Sequence, residues 1–286
     1  MISKSDIDNG LLYFGIDDKY KEQCYKCQEA INNNPLWLEA FKRVFEFLNY
    51  GDVDCLKTVW DLNDISQLFT EGIHPFATNL MVVLGYKTSR ENVEKAKLDE
   101  IQIQVHKQRV KSIFQSDFAI DKHGGIRFIM MSWAYYFIRM RIIEVGRLQY
   151  ENFDGQCIRI HIPETVPTGE KFDQNAVLAS INESKALVKK LFGLENPRYE
   201  CTSWLLCKEV VKELGEQSNI YKFYSLFDVE DGDDCLHDIF DNVFPYDDYD
   251  DYTALSEDTS LKKMIKEKIL KGVTFRLGKG VLKEGI

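Results

Sequence analysis

"GRLQYENFDGQCIRIHIP", residues 146–163, decides how the second half of this chain folds. Its two arms alternate apolar and polar residues with period two and flank Asp154-Gly155, the signature of a β-hairpin. Two loop lengths compete. A two-residue Asp154-Gly155 loop sets Ile158 opposite Glu151 and Ile160 opposite Gln149, which mixes oily and polar side chains on both faces. A three-residue loop, Phe153-Asp154-Gly155 with the glycine left-handed, sets Ile160 opposite Leu148 and Ile158 opposite Tyr150. That register is the expected one, because it sorts the faces. One face is apolar. The other gathers Arg147 with His161, Gln149 with Arg159, and Glu151 with Cys157.

Downstream, the pattern alternates between periods. "DQNAVLASINESKALVKKLFG" reads as a helix, "YECTSWLLC" as a buried strand, and "KEVVKELG" as a helix closed by Gly215. "SNIYKFYSLF" starts a short helix at Ser218 or Asn219, and "FDVED" is a candidate strand. "TSLKKMIKEKILKG" is a helix capped by Thr259 or Ser260, and "VTFRLGKGVL" is a last strand with a turn at "LGKG". The Asp-rich run 228–258 lacks calcium-loop spacing and reads as a solvated acidic loop. Together these pieces make a mixed α/β layer.

Upstream of Gly146 the grammar is helical. Asn34-Pro35 is a cap followed by proline at the first helical position, and Gly51 closes that helix. "CLKTVWDLNDISQLF" and "HPFATNLMVVLGY" continue in kind. "RENVEKAKLDEIQIQVHKQRVKSIF" reads as one long amphipathic helix. "IRFIMMSWAYYFIRMRII" reads as a buried helix, since Arg139 and Arg141 interrupt it too early for a membrane span. The expected fold class is α+β, with an all-helical domain over residues 1–144 followed by a mixed α/β domain over 145–286.

The 286 residues carry a formal charge of -10, with 44% hydrophobic and 29% charged residues, as in globular proteins. Bulk charge disfavours nucleic acid and anionic membrane as partners. The polar start, without an apolar h-region, points to the cytoplasm. Seven cysteines, an odd number set in apolar stretches, point to reduced thiols. Cys24 and Cys27 form one CxxC with no second pair at zinc-finger spacing, so no metal is expected and two helix thiols are the simpler reading.

His161 is the candidate general base, with Glu151 as the alternative that would take the acceptor's proton. Alone, a strand histidine is more often structural, but Arg147 and Glu151 share its face, and a carboxylate beside an imidazole fixes its tautomer. Arg147 and Arg159 are candidates for holding phosphate or carboxylate. Cys201 is a candidate nucleophile or proton donor, against a simpler reading as an inert buried thiol, since nothing local lowers its pKa. Trp204 is a stacking candidate or a core residue. Ser218 and Asn219 present backbone N–H groups to an anion, or merely cap a helix. Tyr224 is a second candidate proton donor.

In order and spacing, "GRLQYE" (146–151), "IHIPE" (160–164), "CTSWLL" (201–206), "SNIYKF" (218–223) and "LSEDTSLKKMIKEKILKG…LGKGVL" (255–282) resemble a bacterial acyltransferase family. That family joins an N-terminal helical N-acyltransferase domain to a C-terminal GNAT-like domain. The resemblance implies a GNAT-like fold over 145–286, with acyl-coenzyme A as co-substrate and an amine as acceptor. The wider GNAT superfamily holds the coenzyme A pyrophosphate on an R/Q-x-x-G-x-G/A loop. This chain has no such string; "GKG" at 278–280 is the nearest. The rival expectation is a non-catalytic module that keeps the fold and binds a small ligand or peptide. Either way the expected partner is a small molecule, with a homodimer as the candidate assembly.

Overall fold

The computed structural model describes residues 1–51, 74, 76–116, 125–245, 247 and 251–286. The helix expected over 55–69 lies outside the described residues. The chain divides into two compact units, Met1–Glu144 and Val145–Ile286.

Before the strand that begins at Ile142, the elements of the first unit among the described residues are helices. Its helices are α1 (Lys4–Phe14), α2 (Lys21–Asn33), α3 (Pro35–Tyr50), α4 (Ala77–Leu84), α5 (Tyr86–Ala96), α6 (Glu100–Gln115) and α7 (Phe128–Ile138). Sequence chemistry sets their ends. Asn34 Oδ1 accepts from the N–H groups of Leu36 and Trp37, with Pro35 in the first turn of α3. α4 is buried on all sides. Gly10 lets α1 lie against it, since a Cβ there would stand 2.3 Å from the Val83 carbonyl oxygen. Cys24 and Cys27 sit in this core on α2, and burial pushes both thiols up, Cys24 to about 12.

Two expectations in this unit need correction. The long helix over 90–114 is two helices, α5 and α6, parted by Lys97 at φ 50°. Asp99 then opens α6 with a capping box, taking the Gln102 N–H while the Gln102 side chain accepts from the Asp99 N–H. The apolar helix ends at Ile138. Met140 takes φ 57°, and Ile142–Val145 becomes a strand, β1. Among the described residues no helix is long and apolar enough to cross a membrane.

From β1 onward the chain builds one six-stranded sheet. Its other strands are β2 (Leu148–Asn152), β3 (Cys157–His161), β4 (Arg198–Ser203), β5 (Phe227–Asp234) and β6 (Arg276–Leu282), in the order β1-β2-β3-β4-β6-β5. The helices are α8 (Gln174–Phe192), α9 (Lys208–Leu214), α10 (Asn219–Tyr224), α11 (Leu236–Val243) and α12 (Ser260–Leu270). Asp173, Ser218 and Thr259 cap α8, α10 and α12 through their side chains. β3 and β4 are parallel, as a strand–helix–strand crossover through α8 requires; β2–β3, β4–β6 and β5–β6 are antiparallel.

The acidic stretch is not simply a solvated loop. Within it α11 buries Ile239, Phe240 and Val243 in a cluster with Cys207, Val210, Ile265 and Phe275. Nor is "LGKG" a turn. Gly278 and Gly280 lie inside β6 on one face, where the 3-10 turn Trp204–Leu206 presses on the strand. A Cβ on Gly278 would stand 2.3 Å from the Leu206 carbonyl oxygen.

Candidate active site

The hairpin turn is tied by side chains. Asp154 Oδ1 accepts from the N–H groups of Gln156 and Cys157 at 2.9 and 2.8 Å. Asn152 Oδ1 accepts from the Gly155 N–H at 3.0 Å, and Gly155 takes φ 79°. Phe153 N–H donates to Cys157 O, so the loop is Asp154-Gly155-Gln156. This moves the register two residues from the expected one. Gln149 faces His161, Tyr150 faces Ile160, Glu151 faces Arg159 and Asn152 faces Ile158. A two-residue slip keeps every side chain on its own face. The sorting therefore stands while the partners change.

On the apolar face, Leu148, Tyr150, Ile158 and Ile160 are buried, and the Tyr150 hydroxyl lies 2.8 Å from Ser180 Oγ of α8. The polar face is buried too: Arg147, Gln149 and Glu151 are all at or below 5% exposed. Carboxylates are almost never so buried unless paired. Glu151 Oε2 lies 2.8 Å from His161 Nε2 and 4.0 Å from Arg159 Nη1. Arg159 lies over the Phe153 ring at 3.5 Å, which fixes the guanidinium plane. The His161 side chain keeps 25% of its surface exposed. The pair thus runs from a buried carboxylate to an imidazole that meets solvent.

Arg147 does something else. Its Nη1 donates to Pro163 O at 2.6 Å and its Nη2 to Glu164 O at 3.2 Å, with Phe172 against the guanidinium. It pins the segment that follows β3.

The β3–β4 ladder is short. It runs from Cys157↔Arg198 through Ile158↔Tyr199 to Arg159↔Glu200 and stops. Ile160 and His161 of β3, and Cys201, Thr202 and Ser203 of β4, extend past it; β4 there pairs only with β6. The carboxyl ends of two parallel neighbours therefore part. In α/β sheets ligands bind outside the carboxyl ends of parallel strands. A strand–helix–strand reading of β3–α8–β4 already implies parallel pairing, but no residue pattern marks where the ladder ends.

The same register divides the expected residues. Ile158 pairs with Tyr199, so Tyr199, Cys201 and Ser203 share the apolar face, and the Tyr150 and Tyr199 rings meet edge to face. Cys201 is on the side of the sheet away from Glu151 and His161. Burial pushes its thiol up to about 12, which makes it a weak acid and no thiolate at neutral pH. Cys157, on the polar face, is likewise pushed up to about 12, by burial first and then by its bond to Glu200. Trp204 begins the turn at the end of β4 and packs partly against the cluster around Ile239. Helix α10 packs on that turn and on α8, which brings Tyr224, Ser218 and Asn219 to the apolar side. Ser218 Oγ is spent as a cap, accepting from the Tyr221 N–H and donating to Gly215 O, both at 3.0 Å. Asn219 is exposed and Tyr224 half-buried. Gln149, buried opposite His161, had no reading from sequence beyond its place on the face.

Residues 142–282 match the family model described as the GNAT-like C-terminal domain. This region is a GNAT-like C-terminal domain. Over nearly its full length the chain is also similar to solved acyltransferases. One, in complex with decanoyl-CoA, has a TM-score of 0.69 at 16% identity, over 95% of this chain and 85% of that one. Another, in complex with CoA and 10C-teicoplanin, has a TM-score of 0.63 at 14% identity, over 97% and 99%. At such identities the likeness speaks to fold, and it extends beyond the GNAT-like domain into the helical unit. No curated protein matches.

Proposed function

We propose that this chain transfers an acyl group from acyl-coenzyme A to an amine on a small molecule. The observation that carries the reading is the parting of β3 and β4 beside the Glu151–His161 pair. A thioester and its pantetheine arm need an extended partner. Beyond the last ladder pair, the facing edges of Ile160–His161 and Cys201–Ser203 present main-chain donors and acceptors in a row. An N–H group on such an edge polarises the thioester carbonyl as charge develops on its oxygen. The family match and the acyl-CoA complexes of the similar structures support the donor class.

The acceptor amine attacks as the neutral base and must lose a proton as the C–N bond forms. With Nε2–H donating to Glu151, the lone pair of neutral His161 sits on Nδ1, and that nitrogen takes the proton. Glu151 orients the ring and stabilises the imidazolium, as an orienting carboxylate does for a catalytic histidine. The C–S bond then breaks, and coenzyme A leaves as thiolate to be protonated. Tyr224 remains a candidate donor for that step. Cys201 is dropped from it, since a thiol at about 12 yields its proton poorly. Arg159 is the candidate anion holder, and Arg147 shapes the site by fixing the 163–164 segment. Residues 1–144 act as the helical N-acyltransferase-type domain. The six free cysteines among the described residues support a reducing, cytoplasmic setting. A homodimer is the assembly to test.

Thermal melting with acyl-coenzyme A tests the reading. A donor at one hundred times its Kd adds about 2.7 kcal/mol by mass action. No shift at millimolar acetyl- or decanoyl-coenzyme A contradicts it. A shift without acyl transfer to any amine leaves the non-catalytic module in its place.

A further inference from the structure

We propose that the helical unit binds a carboxylate with an apolar tail of about six carbons, in a cavity built wholly from first-unit residues. The cavity measures about 180 Å³. Its apolar walls are Ile2 ahead of α1, Phe41 and Phe45 of α3, and Leu84 at the end of α4. Phe41 and Leu84 are buried, and the Phe41 and Phe45 rings lie nearly parallel with centroids 6.0 Å apart. The charged lining residues are Asp6, Lys42 and Lys87, and both lysines are exposed. The cavity thus has an apolar floor and a charged rim. The wall at Ile2 is fixed before any ligand arrives. Ile2 N–H donates to Asn32 Oδ1 at 3.1 Å, and Ile2 O accepts from the Gln28 and Asn32 side chains, both at 2.9 Å. Such preorganisation removes an ordering cost from binding.

The rim selects the charge. Asp6 and Lys87 pair with each other at 2.7 Å, and Asp6 also accepts from the Ser3 and Tyr86 hydroxyls. Lys42 has no ion pair or hydrogen bond among the described residues. It is the uncompensated side-chain charge at the rim. A monoanion neutralises it through a charge-assisted hydrogen bond. A phosphate dianion would leave a second charge beside Asp6. The floor selects the tail. A cavity of about 150 Å³ lined by Leu, Ile and Phe holds benzene, so this one holds a ring or chain of about six carbons. A carboxylate on such a tail meets both demands at once.

Amide NMR titration of the full chain at low salt tests this with straight-chain carboxylates and 1-hexanol. Hexanoate should bind saturably, about fourfold tighter per methylene from butanoate to hexanoate. The gain should level off once the tail fills the cavity. 1-Hexanol keeps the tail and lacks the charge, so it should bind about threefold more weakly. Lys42→Gln should weaken hexanoate by that same factor and leave 1-hexanol unchanged; Lys42 is exposed, so the variant should fold. Leu84→Phe fills the floor and should weaken both ligands alike. If that variant does not fold, Lys42→Gln still decides. Absence of saturable hexanoate binding overturns the proposal. So does hexanoate binding that Lys42→Gln leaves unchanged, which places the ligand elsewhere. An affinity still rising about fourfold per methylene beyond octanoate overturns the fit to this cavity.

Discussion

Replacing Gly278 by alanine tests how the end of β4 is held. A Cβ at this position would stand 2.3 Å from the Leu206 carbonyl oxygen and 2.4 Å from Leu206 Cβ. Both atoms lie close to the main chain, so no rotamer change relieves the clash, and the turn or β6 must move by about 1 Å to restore van der Waals contact. Overpacking of this kind costs about 1–3 kcal/mol, and backbone contact puts Gly278→Ala at the upper end. Gly280 is the internal comparison. Its Cβ would meet Leu206 Cδ1 and Phe227 Cβ, each at 2.9 Å, so part of that clash is with the far end of a flexible side chain. Gly280→Ala should cost about 1 kcal/mol. For a unit of this size each kcal/mol lowers Tm by about 4 °C, so losses of about 12 and 4 °C are expected by calorimetry. Because the displaced turn follows Ser203 directly, Gly278→Ala should also weaken acyl-coenzyme A binding. A Gly278→Ala protein as stable as wild type, or a larger loss for Gly280→Ala, would refute the close packing of the turn on β6.

Other outcomes follow from the same contacts. His161→Ala should lower kcat by about 10²–10⁴-fold with the acyl-coenzyme A Kd nearly unchanged; stopped-assay turnover and calorimetric binding separate the two. Glu151→Gln keeps the volume and loses the charge, so it should lower kcat and move the pH–rate profile rather than Kd. Arg147→Ala leaves the Pro163 and Glu164 carbonyls unpaired and should cost about 2–4 kcal/mol in urea unfolding. Burial holds His106 down to about 4 from an ordinary 6.5, beside Ser89 Oγ at 2.7 Å. Between those values the unfolded chain binds the proton and the folded chain does not. Stability present above pH 6.5 should therefore fall by about 3 kcal/mol as pH drops to 4, and His106→Gln should flatten that slope in acid denaturation.

Elements announced by a cap were legible in the sequence: Asn34, Asp173, Ser218 and Thr259 each begin the helix expected of them. Elements without punctuation were not. β1 hides in the apolar run because Met140, not a glycine, takes the positive φ that ends the helix. α11 hides because the aspartates around it mask the spacing of Leu236, Ile239, Phe240 and Val243. In the hairpin, the loop lies one residue later than the glycine position suggests, which shifts the cross-strand partners by two, because Asp154 gathers the N–H groups of Gln156 and Cys157. Side-chain parity survives such a slip, so His161 and Glu151 could be placed on one face from sequence alone. Cys201 could not be assigned a face without the β3–β4 register, which long-range pairing decides.

The proposed reaction requires acyl-coenzyme A to lie between the parted ends of β3 and β4. A crystal structure with a non-hydrolysable acyl-coenzyme A analogue tests it most directly. The pantetheine should run along Ile160–His161 and Cys201–Ser203, with the thioester carbon within reach of an amine that His161 Nδ1 can deprotonate. Density for the analogue on any other part of the sheet, or a continuous β3–β4 ladder that leaves it no room, would contradict the account.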